Sequence, residues 1–250
     1  MKRIAIIGLG QIGGSIVLAL RKNSNRYSIT GIDPSLKRRR LLRSSLDLAG
    51  ARWDLAKDAD LTILCVHYNL AADFLHHAEQ SAPLFDVCSG KEKLVRIANG
   101  KKLRFIGGHP MTGSKFTSEK GWNHALFERV PFFLCPAKYS LPEDRKIVRS
   151  IVKDLGARPI NVDPAQHDRF VSLTSHFPAV LAGLLQEMGK QIPAHFKGPG
   201  FHSMTRLAKT SPELLQTFLQ SNGNNVLSAA KKMRDLLNRW IETTEEHRGT

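Results

Sequence analysis

Arg3-Ile4-Ala5-Ile6-Ile7-Gly8-Leu9-Gly10-Gln11-Ile12-Gly13 is the stretch whose reading decides the fold. Its first five residues form a short β-rich apolar run, three glycines follow in Gly-x-Gly-x-x-Gly spacing, and an apolar helical pattern continues through Ile16, Leu18 and Leu20. That order is strand, tight turn, helix. The spacing has a mechanical reason: Gly8 permits the turn, Gly10 lets a pyrophosphate approach the backbone, and Gly13 allows helix and strand to pack closely. The helix N-terminus then offers amide donors and a positive dipole end to phosphate. A second strand at about 28–33 ends in Asp33, twenty residues past Gly13, and a helix follows Pro34, a residue tolerated at a helix's first position. Gly8, Gly10, Gln11, Ile12, Gly13 and Asp33 together imply a dinucleotide site.

An acid at position 33 accepts from a ribose 2′-hydroxyl and repels a 2′-phosphate, which favours NAD over NADP. The run Lys37-Arg38-Arg39-Arg40 is the one feature able to attract that phosphate, although a solvated helix face accounts for it equally well.

Working outward, short apolar runs recur at 61–66, 84–88, 103–107, 131–135 and 158–162, spaced widely enough for crossover helices. The economical fold is α/β: a Rossmann-type, doubly wound, mostly parallel sheet. Beyond Asp163-Pro164 no strand-like run remains, and helical patterns continue to about 246, broken at Pro193, Gly198-Pro199-Gly200 and Ser211-Pro212. The expected division is a dinucleotide-binding domain at 1–163 and an all-helical domain at 164–250.

Composition is consistent with a globule: 42% hydrophobic and 24% charged over 250 residues. No apolar run approaches the roughly 20 residues needed to cross a bilayer, so no membrane partner is expected and a cytoplasmic location fits. Cys65, Cys88 and Cys135 match no zinc or redox spacing and read as buried, reduced thiols, with no metal site. The net charge of +15 suits an anionic small molecule or a nucleic acid. Scattered basic residues without an aromatic ladder for stacking bases argue against the latter.

Four further segments carry polar residues where packing does not demand them: Asp86-Val87-Cys88-Ser89-Gly90-Lys91, Gly107-Gly108-His109-Pro110-Met111-Thr112-Gly113-Ser114, Ser175-His176-Phe177-Pro178 and Gly200-Phe201-His202-Ser203-Met204-Thr205-Arg206. With the glycine fingerprint, these stand in the order found in prephenate and arogenate (cyclohexadienyl) dehydrogenases, and the chain resembles that family from about residue 2 to 240. The resemblance implies NAD-dependent oxidative decarboxylation of prephenate to 4-hydroxyphenylpyruvate in tyrosine biosynthesis. It also implies a homodimer paired through the helical domain, and a cleft between domains as the active site. His109 matches the family's catalytic histidine, and a neutral imidazole suits acceptance of a hydroxyl proton. Ser89 matches the serine that binds the substrate hydroxyl, although Ser89-Gly90-Lys91-Glu92 also reads as a capping box. Arg206 matches the arginine that binds a substrate carboxylate. His176 and Ser114 are further substrate-side candidates; a lone histidine such as His176 is also commonly a satisfied core residue.

Three positions depart from the pattern: Ala179 where many relatives have a second histidine, and Lys115 and Ser203 where they have acids. The loss of negative charge favours the dianion prephenate over arogenate, which carries an ammonium group as well. A modified, amino-substituted cyclohexadienyl substrate and a non-catalytic nicotinamide-binding protein are the alternatives. A 3-hydroxyacid or 6-phosphogluconate-type dehydrogenase shares the layout but lacks the His109 and Arg206 segments. The resemblance includes neither an added mutase segment before the fingerprint nor a regulatory domain after residue 240.

Overall fold

The computed structural model describes residues 1–79, 82–113 and 118–248. It divides into two compact units, Met1–His167 and Asp168–Thr250.

The first unit is an eight-stranded sheet in the order β3 (Leu48–Gly50), β2 (Tyr27–Ile32), β1 (Lys2–Ile7), β4 (Leu61–Leu64), β5 (Leu84–Asp86), β6 (Phe105–Pro110), β7 (Pro131–Pro136) and β8 (Arg158–Asn161). Its central strand β1 (Lys2–Ile7) is flanked by β2 (Tyr27–Ile32) and β4 (Leu61–Leu64), both parallel to it. Ile4 and Ile6 enter the core on one face, and Ala5 and Ile7 enter the core on the other. Both faces are therefore dry, which is why the run is apolar without alternation. Helix α1 (Gln11–Asn23) packs on the first face through Ile16, Val17 and Leu20. Helices α3 (Tyr68–His77) and α4 (Glu92–Gly100) cover the second through Ala71, Leu75, Leu94 and Val95.

β5 (Leu84–Asp86) and β6 (Phe105–Pro110) continue the parallel order. β7 (Pro131–Pro136) runs antiparallel to β6, and β8 (Arg158–Asn161) lies parallel to β7 after helix α5 (Pro142–Asp154). The five strands read from apolar runs beyond the fingerprint unit are all present. An additional edge strand, β3 (Leu48–Gly50), escaped the sequence reading because three residues with two partly exposed small side chains carry no periodicity. Helix α2 (Leu36–Leu41) starts later than Pro34 suggests: Ser35 is its N-cap, its side chain accepting from Arg38 N at 3.4 Å, so Pro34 lies outside the helix.

Cys65, Cys88 and Cys135 are free thiols. Burial pushes the Cys65 and Cys88 thiols well above their ordinary range, and the Asp86 charge adds to it.

The second unit is helical: the end of α6 (Pro164–Val171), a π-helical turn over Ser172–His176, α7 (Phe177–Met188), α8 (Pro199–Met204) and α9 (Pro212–Arg248). Phe177, Val226 and Ala229 form its small core with Val180, Leu181 and Met233. Helix α9 is broken at Asn222, whose φ of −139° is not helical. That amide is buried and donates to Asp168 O at 2.7 Å, so a side-chain bond holds the kink. Among the described residues no helix is long and apolar enough to cross a membrane.

Candidate active site

Because β1, β2, β4, β5 and β6 are parallel, their C-terminal ends lie along one sheet edge. Connections reverse between β1 and β4, the switch point where open α/β sheets form a ligand crevice. Asp33 follows β2, the Gly8–Gly13 turn follows β1, the segment carrying Ser89 follows β5, and His109 lies near the end of β6. Four of the sequence-derived elements thus share one edge by topology alone.

Each glycine of the turn has the property its spacing implies. Gly8 has φ +93°, and a Cβ there would sit 2.3 Å from Cys65 O. A Cβ on Gly13 would sit 1.9 Å from Gly8 O, so helix and turn meet at this point. A Cβ on Gly10 would meet nothing within 4 Å, which leaves open space beside the N-terminus of α1. A cradle with two tight glycines and one open one fits a pyrophosphate. Behind it, Trp122 donates from Nε1 to Gly10 O at 2.9 Å and packs its indole on Gly14, a contact the sequence does not announce.

Asp33 is buried and tied into the fold. Oδ2 accepts from Leu9 N at 2.7 Å and Oδ1 from Ser35 N at 2.8 Å, so the carboxylate fixes the glycine turn to the end of β2. Arg38 Nη1 lies 3.4 Å from Asp33 Oδ2 and its Nε 3.5 Å from Glu119 Oε2. Lys37 Nζ lies 2.6 Å from Glu119 Oε1. The hydrogen bond from Lys37, with further donation from backbone and Arg38, holds the Glu119 carboxyl down to about 2. Within the basic run, Arg38 is accordingly turned toward two carboxylates instead of lying on a solvated face.

Ser89 does not cap a helix. α4 begins at Glu92, Lys91 occupies its N-cap position without a side-chain cap bond, and Ser89 lies too early to cap it. This corrects the capping-box expectation. Ser89 Oγ is buried and has no hydrogen-bond partner among the described residues.

His109 is almost fully buried, opposite Phe133 on β7. Its Nδ1 lies 2.9 Å from Nε2 of His167, a ring on α6 wedged edge-on between His109 and Phe133. His167, 58 residues away in sequence, carried no sequence signal because only the fold brings it to β6. The other residues the sequence left unassigned are Asp86 and Lys91, an ion pair beneath β6.

The remaining candidates belong to the second unit or fall outside the description. Arg206 is exposed on a 3-10 turn over Arg206–Lys209 and has no ion-pair partner among the described residues. His176 is fully buried, stacked on Phe218 at 4.2 Å with Asn222 Nδ2 3.2 Å from Nδ1, the setting of a core histidine. Ala179 is buried in α7 and Ser203 exposed in α8. Ser114 and Lys115 lie outside the described residues.

A doubly wound sheet with a glycine turn shaped as a nucleotide cradle and a buried histidine pair, one member of it on a strand ending at the same sheet edge, defines a nucleotide-binding α/β protein. Comparison with known proteins narrows the class. Residues 16–161 match the prephenate dehydrogenase nucleotide-binding domain, and residues 163–249 match the prephenate dehydrogenase dimerization domain. The chain belongs to the prephenate/arogenate dehydrogenase family. A prephenate dehydrogenase of Lactococcus lactis is 32% identical over 242 residues, covering 89% of this chain and 65% of that protein. The chain therefore spans just under two thirds of that relative's length. Arogenate dehydrogenase of Synechocystis superposes with a TM-score of 0.82 at 26% identity, covering 98% of this chain and 93% of that one. Prephenate dehydrogenase from Aquifex aeolicus, in complex with hydroxyphenyl propionate and NAD+, gives 0.88 at 24% identity, covering 100% and 93%.

Proposed function

We propose that this chain is an NAD-dependent dehydrogenase that converts prephenate to 4-hydroxyphenylpyruvate by oxidative decarboxylation, with His109 accepting the hydroxyl proton. The observation that carries this reading is the buried His109–His167 contact at the sheet edge that also holds the glycine turn. Of the two facing nitrogens, one must donate and the other accept. With His109 Nδ1–H donating to His167 Nε2, the Nε2 of His109 carries no proton, which is the tautomer a general base needs. Ser89 Oγ, otherwise without a partner among the described residues, is the group to hold the substrate hydroxyl. Arg206 supplies an exposed guanidinium, suited to bidentate capture of a carboxylate.

Gly8, Gly10, Gln11, Ile12, Gly13 and Asp33 are the residues to hold the dinucleotide. Bound there, oxidised nicotinamide supplies hydride acceptance from the carbon bearing the hydroxyl. His109 takes the hydroxyl proton as the carbonyl forms; carbon dioxide leaves the opposite ring carbon, its bonding electron pair makes the ring aromatic, and the ring oxygen regains the proton from His109 as the phenol. The choice of NAD rests on Asp33 and on Arg38, whose charge is already matched by Asp33 and Glu119. A homodimer through the helical unit, taken as residues 164–250, is supported by the dimerization-domain match and by Met188, Phe196 and Trp240, which are 80%, 72% and 66% exposed in the single chain.

The substrate preference follows from charge. Prephenate is expected to give a higher kcat/KM than arogenate under NAD, since the sequence has Lys115 and Ser203 where the family pattern has acids that would suit an ammonium group. Arg206→Ala should raise KM for prephenate about 10- to 100-fold, the loss of one charge-assisted pair worth about 1.5–3 kcal/mol, with the smaller change in kcat. Initial rates of NADH formation with each substrate check both; a higher kcat/KM for arogenate would reverse the preference while leaving the family unchanged.

A further inference from the structure

We propose that the buried Asp86–Lys91 pair is a positioning device for the reaction, setting the turn of Ser89 and the strand of His109 at a fixed separation. The proposal rests on the reading of His109 as the base and of Ser89 as the hydroxyl-binding group.

Asp86 is the last residue of β5, and Lys91 stands just before α4; both side chains are fully buried. Lys91 Nζ donates to Asp86 Oδ1 at 2.7 Å, to Oδ2 at 2.6 Å and to Gly108 O at 2.7 Å. Asp86 in turn accepts from Gly108 N at 3.0 Å through Oδ1 and from Cys88 N at 2.8 Å through Oδ2. One ion pair thus grips both backbone polar groups of Gly108, the residue before His109, and the amide of Cys88, the residue before Ser89. The backbone ladder alone does not do this, since the paired register of β5 with β6 stops at Phe85–Ile106.

The two glycines before His109 are shaped to this grip. A Cβ on Gly107 would lie 3.1 Å from Lys91 Cδ, against the lysine stem. A Cβ on Gly108 would lie 2.4 Å from Phe85 Cε2 and 2.5 Å from Asp86 O. Gly-Gly lets β6 settle onto β5 and onto the lysine below it, which is a reason for these two residues in a strand where glycine otherwise weakens the structure.

A buried ion pair is seldom an economical way to stabilise a fold, since an apolar pair of similar volume commonly does as well. Its advantage here is direction: hydrogen bonds to a carbonyl, two amides and a carboxylate fix positions that apolar contact leaves loose. Substrate hydroxyl and base must meet at hydrogen-bond distance, and a shift of about 1 Å in such a geometry costs roughly 100-fold in rate.

The test replaces both charges at once. Lys91→Met alone strands a buried carboxylate and unfolds the chain for an uninteresting reason, so the decisive variant is Asp86→Asn with Lys91→Met. Measured beside wild type and His109→Asn, it is expected to fold, to bind NAD within twofold of wild type and to keep KM for prephenate within threefold. Its kcat should fall at least tenfold, and the ring 15N shifts of His109 in the cofactor-free protein should move. Wild-type kcat with unchanged His109 shifts overturns the proposal, as does a variant that cannot fold, because the pair is then a requirement of the fold and not of the site. If His109→Asn itself keeps full activity, the underlying assignment of the base falls instead.

Discussion

His109→Asn leaves a folded chain that binds NAD and turns over prephenate roughly 100- to 10,000-fold more slowly, the usual range for loss of a positioned general base. Asn keeps approximately the shape and a polar atom near the Nδ1 position, so the contact with His167 and the packing on Phe133 need not collapse. What it removes is the proton acceptor. The loss is therefore expected in kcat, with KM for prephenate changed little, because the carboxylate is assigned to Arg206. Steady-state kinetics alongside a thermal melt separates this from unfolding: a melt unchanged within a few degrees and a collapsed kcat is the expected pair. Comparable kcat in the variant would move the base elsewhere, and His167 is then the group to examine.

Gly13→Ala abolishes the nucleotide site. A methyl group at that position is built 1.9 Å from Gly8 O and 3.0 Å from Cys65 Cβ, so either α1 lifts from the turn or the turn opens. Neither neighbour is the flexible end of a long side chain, and relief has to come from backbone. NAD affinity is expected to fall at least tenfold and the folded state to lose on the order of 1–3 kcal/mol, the range for overpacking a well-filled site. Gly10→Ala provides the contrast. Its Cβ meets nothing within the protein, so stability stays within about 0.5 kcal/mol while NAD affinity drops, because the methyl group enters the space left for pyrophosphate. Equilibrium unfolding and titration with NAD on the two variants distinguish a glycine needed by the fold from one needed by the ligand.

Most of this architecture is legible in the sequence because burial on both sheet faces writes itself as unbroken apolar runs. β1 has buried residues entering both cores, and the run Ile4 to Ile7 announces it. β3 is not legible, since three residues at a sheet edge bury too little to leave a pattern. The glycine turn is legible because its chemistry is local: each of its three glycines answers to a neighbour within a few ångströms or to its absence. The role of Asp33 was read only in half. Its place after β2 is local information, while its bonds to Leu9 N and its proximity to Arg38 depend on the turn and on α2 being folded together. The histidine pair and the Asp86–Lys91 pair were invisible for a related reason. A buried lysine and a solvated one look alike in sequence, and His167 meets His109 only once α6 has returned to the sheet. The capping-box reading of Ser89 failed because the pattern Ser-x-x-Glu fixes only spacing, and here Lys91, drawn beneath β6 by Asp86, delays the helix to Glu92.

The most direct measurement follows NADH and carbon dioxide together in a reaction of the purified chain with NAD and prephenate. One carbon dioxide released for each NADH formed, with 4-hydroxyphenylpyruvate accumulating in step, is the predicted result. NADH formed without carbon dioxide, or no NADH from prephenate at all, contradicts it.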